Sequence, residues 1–99
     1  MFVVLLTHIA PVEEIDLVLP DHAEWLAKQY ERGNFLASGR REPRTGGVII
    51  AKPMSRGKLD AILATDPFVV GHLVHYEVIE FVATRTAHEL HALNEAVAH

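Results

Sequence analysis

The opening stretch, Met1 to Thr7 (MFVVLLT), constrains the fold of this chain more than any other. It is apolar from Met1 to Leu6 and carries two adjacent valines, which reads as a buried strand. On a strand Phe2, Val4 and Leu6 point one way while Val3 and Leu5 point the other, so both faces must leave water. Val48, Ile49, Ile50 and Ala51 repeat that character. Helices of the same chain can cover one face of such a sheet. The other face needs a different cover, most economically the same face of a second copy. A chain of 99 residues holds one core and has no room for two. The expectation is a single domain over residues 1–99, working as a homodimer.

The rest of the chain supplies the elements. Ala10 to Leu19 is expected as a connecting arm, helical in part at best. Pro20 suits the first position of a helix, where its missing N–H costs nothing. That helix is predicted to run to about Arg32, with Gly33 as its left-handed stop. His22 then falls in the first turn, on a face shared with Leu26 and Tyr30. Phe35–Ser38 reads as a second strand, and Gly39 to Gly47, with Pro43, as a loop. Val48–Lys52 is the third strand. Ser55 can cap a helix carrying Leu59, Ile62 and Leu63 on one face. Asp66-Pro67-Phe68 opposes its continuation, because a residue before proline avoids the α region. Val74–Val82 is the fourth strand, and a closing helix from Thr84 or Thr86 carries Leu90, Leu93 and Val97. The order β-α-β-β-α-β plus a C-terminal helix is an α+β, ferredoxin-like split βαβ arrangement. With the second copy in place it becomes a dimeric α/β barrel.

Composition removes several classes of function. Net charge is −4 and there is no basic run, so no nucleic-acid footprint exists. Without cysteine, disulfides and thiolate chemistry are unavailable. The apolar run Phe2–Leu6 is too short for a membrane span or a signal peptide. A cytoplasmic protein without a membrane partner is the expectation that follows.

Two residues point to chemistry. A histidine in the first turn of a helix meets the positive end of the dipole, which favours the neutral, proton-accepting imidazole. If Asp66 reaches His22, a carboxylate would fix the tautomer and stabilise the cation that forms. Asp66 also suits ordinary turn formation, since aspartate before proline closes its own turn. Ser38-Gly39 ends a strand where backbone N–H groups can face a developing negative charge, and glycine there permits close approach of a ligand. Phe68 reads as a pocket wall. Among the seven histidines, His88-Glu89-Leu90-His91 has i, i+3 spacing where a zinc-protease helix needs i, i+4. His8, His22 and Asp66 form the one metal set the topology makes conceivable, and no metal is expected. Gly46-Gly47 lacks the rest of a phosphate loop, so no nucleotide or other cofactor is expected either.

Taken together, several short motifs resemble the YCII-related (YciI-like) domain. They are Leu19-Pro20-Asp21-His22, Leu36-Ala37-Ser38-Gly39, Gly46-Gly47-Val48-Ile49-Ile50, Asp66-Pro67-Phe68 and Tyr76-Glu77-Val78-Ile79-Glu80-Phe81. Their order and spacing extend the resemblance from residue 1 to about 82. It implies the ferredoxin-like fold, the dimeric barrel, and an active site on the helix histidine and the aspartate before proline, here His22 and Asp66. Members of this family usually carry proline after the Ser/Ala-Gly pair; Arg40 stands there in this chain, where it either lines the pocket mouth and favours an anionic substrate or is simply solvated. Some members act in the breakdown of aromatic compounds, including elimination of chloride. The resulting expectation is a cofactor-free enzyme that isomerises a small cyclic or aromatic metabolite or eliminates a group from it. His22 and Asp66 would be catalytic, with Ser38, Gly39, Arg40 and Phe68 around the substrate. The alternative is a dimeric module that binds a small molecule without chemistry.

Overall fold

The computed structural model describes residues 1–96. Four strands, β1 (Phe2–His8), β2 (Phe35–Arg40), β3 (Gly46–Ala51) and β4 (Val74–Glu80), form one sheet in the order β2-β3-β1-β4. Every neighbouring pair is antiparallel. Helix α1 (Val12–Glu31) follows β1, while α2 (Arg56–Leu63) and the single turn α3 (Pro67–Val70) lie between β3 and β4. This is the ferredoxin-like α+β arrangement that the element order predicts.

Alternation along the strands sends Phe2, Val4, Leu6, Ile49 and Ala51 toward the helices, and all are buried. Ile15 and Trp25 of α1, Leu59 and Leu63 of α2, and Phe68 of α3 meet them there in one core. The opposite face presents Val3, Leu5, Ile50 and Ile79, brought together by the register Val3↔Ile50 and Val3↔Ile79. No element among the described residues covers that face, and Ile79 is 45% exposed.

The first helix corrects the sequence expectation. It is continuous from Val12, and Pro20 stands inside it rather than at its start. Proline there forfeits one i→i−4 bond, to the carbonyl of Asp16. Asp16 and Pro20 are both exposed, so that bond is lost on the solvent side, where water can take its place. Packing on both sides of the break holds the helix together, since Ile15 is as buried as Trp25. The core-facing residues are Ile15, Trp25 and Gln29, whereas Tyr30 is 39% exposed. The helix ends as expected, with Gly33 at φ +74°. Gly33 N–H donates to the Tyr30 carbonyl and Asn34 N–H to that of Gln29, each at 2.9 Å, which satisfies two orphan carbonyls of the last turn. The buried side chains of Asn34 and Gln29 bond to each other as well.

Other boundaries also move. Residues Gly39 and Arg40 extend β2, and Gly46 and Gly47 belong to β3, because the hairpin pairs Arg40 with Gly47. Ser55 caps α2 as expected, accepting from Lys58 N–H at 3.1 Å. The closing segment forms a six-residue 3₁₀ helix, His88–Leu93, without a buried stripe. Val97 lies outside the described residues. Glu95 fastens this segment to the sheet, accepting from Ala83 N–H and lying 3.2 Å from the Met1 amine. The Ala83 bond, followed by the amine, holds its carboxyl below the usual range.

Candidate active site

His22 stands in the middle of α1, ten residues beyond the helix start at Val12, and not in the first turn where the sequence places it. The helix-dipole argument for a neutral imidazole therefore fails, because that field fades within the first turn. What acts on His22 is Asp66. The carboxylate is fully buried, and its Oδ1 lies 2.8 Å from His22 Nδ1. The same oxygen accepts Phe68 N–H at 2.9 Å, capping α3 directly after Pro67. The turn-forming and histidine-pairing readings of Asp66 are thus both realised in one carboxylate. A carboxylate can only accept, so a neutral His22 imidazole places its proton on Nδ1 and presents the Nε2 lone pair to the cavity.

Aromatic packing fixes the ring. His22 stacks on Phe68 with centroids 4.1 Å apart and planes 11° from parallel, and Trp25 flanks it at 5.7 Å. Trp25 is itself anchored by Nε1 donating to Thr65 Oγ1 at 2.8 Å. An imidazole held by one hydrogen bond and two rings keeps a single orientation, which acid–base chemistry requires.

A cavity of about 340 Å³ opens between α1 and the sheet, in the size range of small-molecule sites. Ile15, Leu19, His22 and Leu26 line it along one stripe of α1, and Leu6, Ile49 and Phe68 add apolar walls. Ser38, Gly39 and Arg40 lie on its β2 side. The Ser38 hydroxyl sits 2.6 Å from that of Tyr30. Arg40 is largely exposed, in a loose pair with Glu42. The structure thus gathers His22, Ser38, Gly39, Arg40 and Phe68 around one cavity, with Asp66 directly behind His22. Among the described residues no group of three or more histidine and carboxylate side chains has metal-holding geometry.

The pocket also holds His8, which the sequence offered only as a member of a conceivable metal set, and Arg44, to which the sequence assigned no role. Strand alternation in β1 would have placed His8 on the core face with Leu6. Burial first, and the Arg44 charge second, depress the His8 pKa below 6.5. Native stability attached to this group is therefore whole above pH 6.5 and is lost as pH falls through the lowered folded-state value. Thermal unfolding between pH 8 and 5 should show the wild type losing more stability on acidification than His8→Phe; equal slopes would remove His8 as the source.

The fold has a counterpart of known chemistry. The 5-chloro-2-hydroxyhydroquinone dehydrochlorinase TftG from Burkholderia phenoliruptrix AC1100, solved in complex with 2,5-dihydroxybenzoquinone, superposes with a TM-score of 0.62. The two sequences are 16% identical over 82% of this chain and 93% of that one, a likeness of fold. No curated protein matches the sequence. The YCII-related domain model matches residues 1–82, a span holding the whole sheet, all three α-helices and every pocket residue, and the chain belongs to the YCII-related domain family.

Proposed function

We propose that this protein is a cofactor-free enzyme acting by proton transfer on a small cyclic or aromatic metabolite. The observation that carries this reading is the 2.8 Å bond from His22 Nδ1 to a buried carboxylate, at the edge of a mostly apolar cavity. In an elimination, His22 Nε2 takes the proton from carbon. The C–H electrons form the new double bond, and the leaving group departs with its own pair. Asp66 stabilises the imidazolium meanwhile. In an isomerisation the same nitrogen returns the proton to a different carbon. Ser38 and Gly39, expected from the sequence to end a strand and offer backbone N–H groups to a developing negative charge, lie instead inside the β2–β3 ladder, opposite Ile49 and Val48, where backbone N–H groups lie in the plane of the sheet. The like-folded dehydrochlorinase, solved in complex with a dihydroxybenzoquinone, supports elimination on an oxygenated ring as the first chemistry to try.

Chlorinated and unchlorinated hydroxyhydroquinones, followed by mass spectrometry, make the test. Turnover by the wild type that is lost in both His22→Ala and Asp66→Asn, with folding intact, is expected. Saturable binding without product would replace this reading with a binding module.

The dimer belongs to the same proposal. Val3, Leu5, Ile50 and Ile79 form an apolar patch on the uncovered sheet face, and a second copy covers it by presenting the same patch. Light scattering at micromolar concentration should give twice the mass of the 11.0 kDa chain, and Ile79→Lys should halve it. A monomeric wild type would refute the dimer.

A further inference from the structure

We propose that Arg44, held by Asp16 and flanked by His8, is an anion anchor that selects substrates carrying a carboxylate or phenolate. This rests on the cavity being a substrate site, and it adds the class of compound that enters.

The charge pattern carries the inference. The chain is acidic, with 13 aspartates and glutamates against nine lysines and arginines. Yet no aspartate or glutamate lines the cavity among the described residues, whereas Arg40, Arg44, His8 and His22 all do. The two relevant carboxylates stand behind these basic groups. Asp66 is behind His22, and Asp16, on the exposed side of α1, is paired with Arg44 Nη2. A pocket whose fixed charges are the two arginines focuses positive potential on its contents.

Arg44 is the better-built of the two arginines. Its side chain is 34% exposed and directly hydrogen-bonded to Asp16, while Arg40 is 66% exposed and only 3.7 Å from an exposed glutamate. Asp16 uses one guanidinium nitrogen, and the remaining donors of the planar fork are left for a ligand. His8 sits beside it, because His8 N–H donates to the Thr45 carbonyl at 2.9 Å and ties the end of β1 to the Arg44 loop. On the apolar side, Phe68 stacks flat on His22 and also meets His8 edge-on at 6.5 Å. A planar ring along these walls, with its anionic group toward Arg44, satisfies both halves of the cavity. Asp16 is a positioning residue here, since it aims Arg44 without reaching the ligand.

The test is calorimetric titration of the full chain with benzoate and with benzamide, a neutral molecule of nearly the same shape. A charge-assisted anchor should favour benzoate roughly ten- to a hundredfold at low salt. Arg44→Ala should abolish the preference, and Arg44→Lys, which keeps the charge but not the fork, should retain part of it. Arg85→Ala, at an exposed arginine outside the cavity, should change it less than about threefold, as expected for a solvent-screened charge. Unchanged amide spectra show that each variant is folded. Equal affinities in the wild type, no saturable binding of either compound to ~10 mM, or an undiminished preference in both Arg44 variants would overturn the anchor. Binding is read without turnover, so the two proposals fail separately. A benzoate preference in a protein that turns nothing over leaves the anchor and removes the acid–base reading; turnover without the preference does the reverse.

Discussion

His22→Ala is expected to lower kcat by about 10²–10⁴, the usual contribution of a positioned acid–base group, with a smaller effect on KM. Among the described residues, the substitution removes the one imidazole nitrogen in the cavity whose partner nitrogen is fixed by a buried carboxylate. It also strips one donor from Asp66, whose Oδ2 already has no hydrogen-bond partner among the described residues. Losing a bond to a buried charged group costs about 1–3 kcal/mol, so rates must be compared well below the melting temperature. Asp66→Asn is the cleaner companion. Its side-chain oxygen can still accept Phe68 N–H and cap α3, while the negative charge that supports the imidazolium is gone. A loss of the same order in Asp66→Asn, with an unchanged melting temperature, would assign the effect to chemistry. Full activity in folded His22→Ala would exclude His22 from the mechanism.

Gly46→Ala should produce the largest loss of stability among conservative single substitutions near the pocket. A Cβ at this position would lie 1.7 Å from the Leu6 carbonyl oxygen, 2.7 Å from its carbon and 3.0 Å from Thr7 Cα. All three atoms are backbone of the neighbouring strand, so no rotamer change relieves the clash. Relief requires β1 and β3 to part at the end of their ladder, where Gly46 pairs with Thr7 and His8 follows. A cost of about 3 kcal/mol is expected, which for a domain of this size is roughly 12–24 °C in Tm. Gly39→Ala is the control. It faces open space and should change stability by less than ~0.5 kcal/mol. Thermal unfolding by circular dichroism reads both, and similar melting temperatures for the two variants would contradict the argument.

Much of the fold is legible in local patterns. The two-sided apolar strands, the Gly33 stop, the Ser55 cap and the break before Pro67 each depend on a few neighbouring residues. The errors arise where a local rule was outweighed by packing. Pro20 reads as a helix start because an interior proline costs about 3 kcal/mol in an isolated helix. Yet Ile15, Leu19, His22 and Leu26 already run at four-, three- and four-residue steps through Pro20, the spacing of one helical stripe. Extending the stripe upstream would have found the longer helix. The Gly46-Gly47 pair reads as a turn, whereas a strand uses it because the neighbouring backbone leaves no room for a Cβ at Gly46.

The sequence by itself pointed to the residues that the fold gathers at the cavity and to the apolar character of both faces of the sheet. Period and composition are local properties, and they carry that information directly. The distances were a different matter. His22 and Asp66 are 44 residues apart, and only the packing of α3 against α1 brings their side chains to 2.8 Å. Arg44 and Asp16 are 28 apart and meet because the β2–β3 hairpin folds back over the helix. Tertiary structure decided that Arg44 would face the cavity while no carboxylate among the described residues lines it, since the facing of a side chain depends on elements remote from it in sequence.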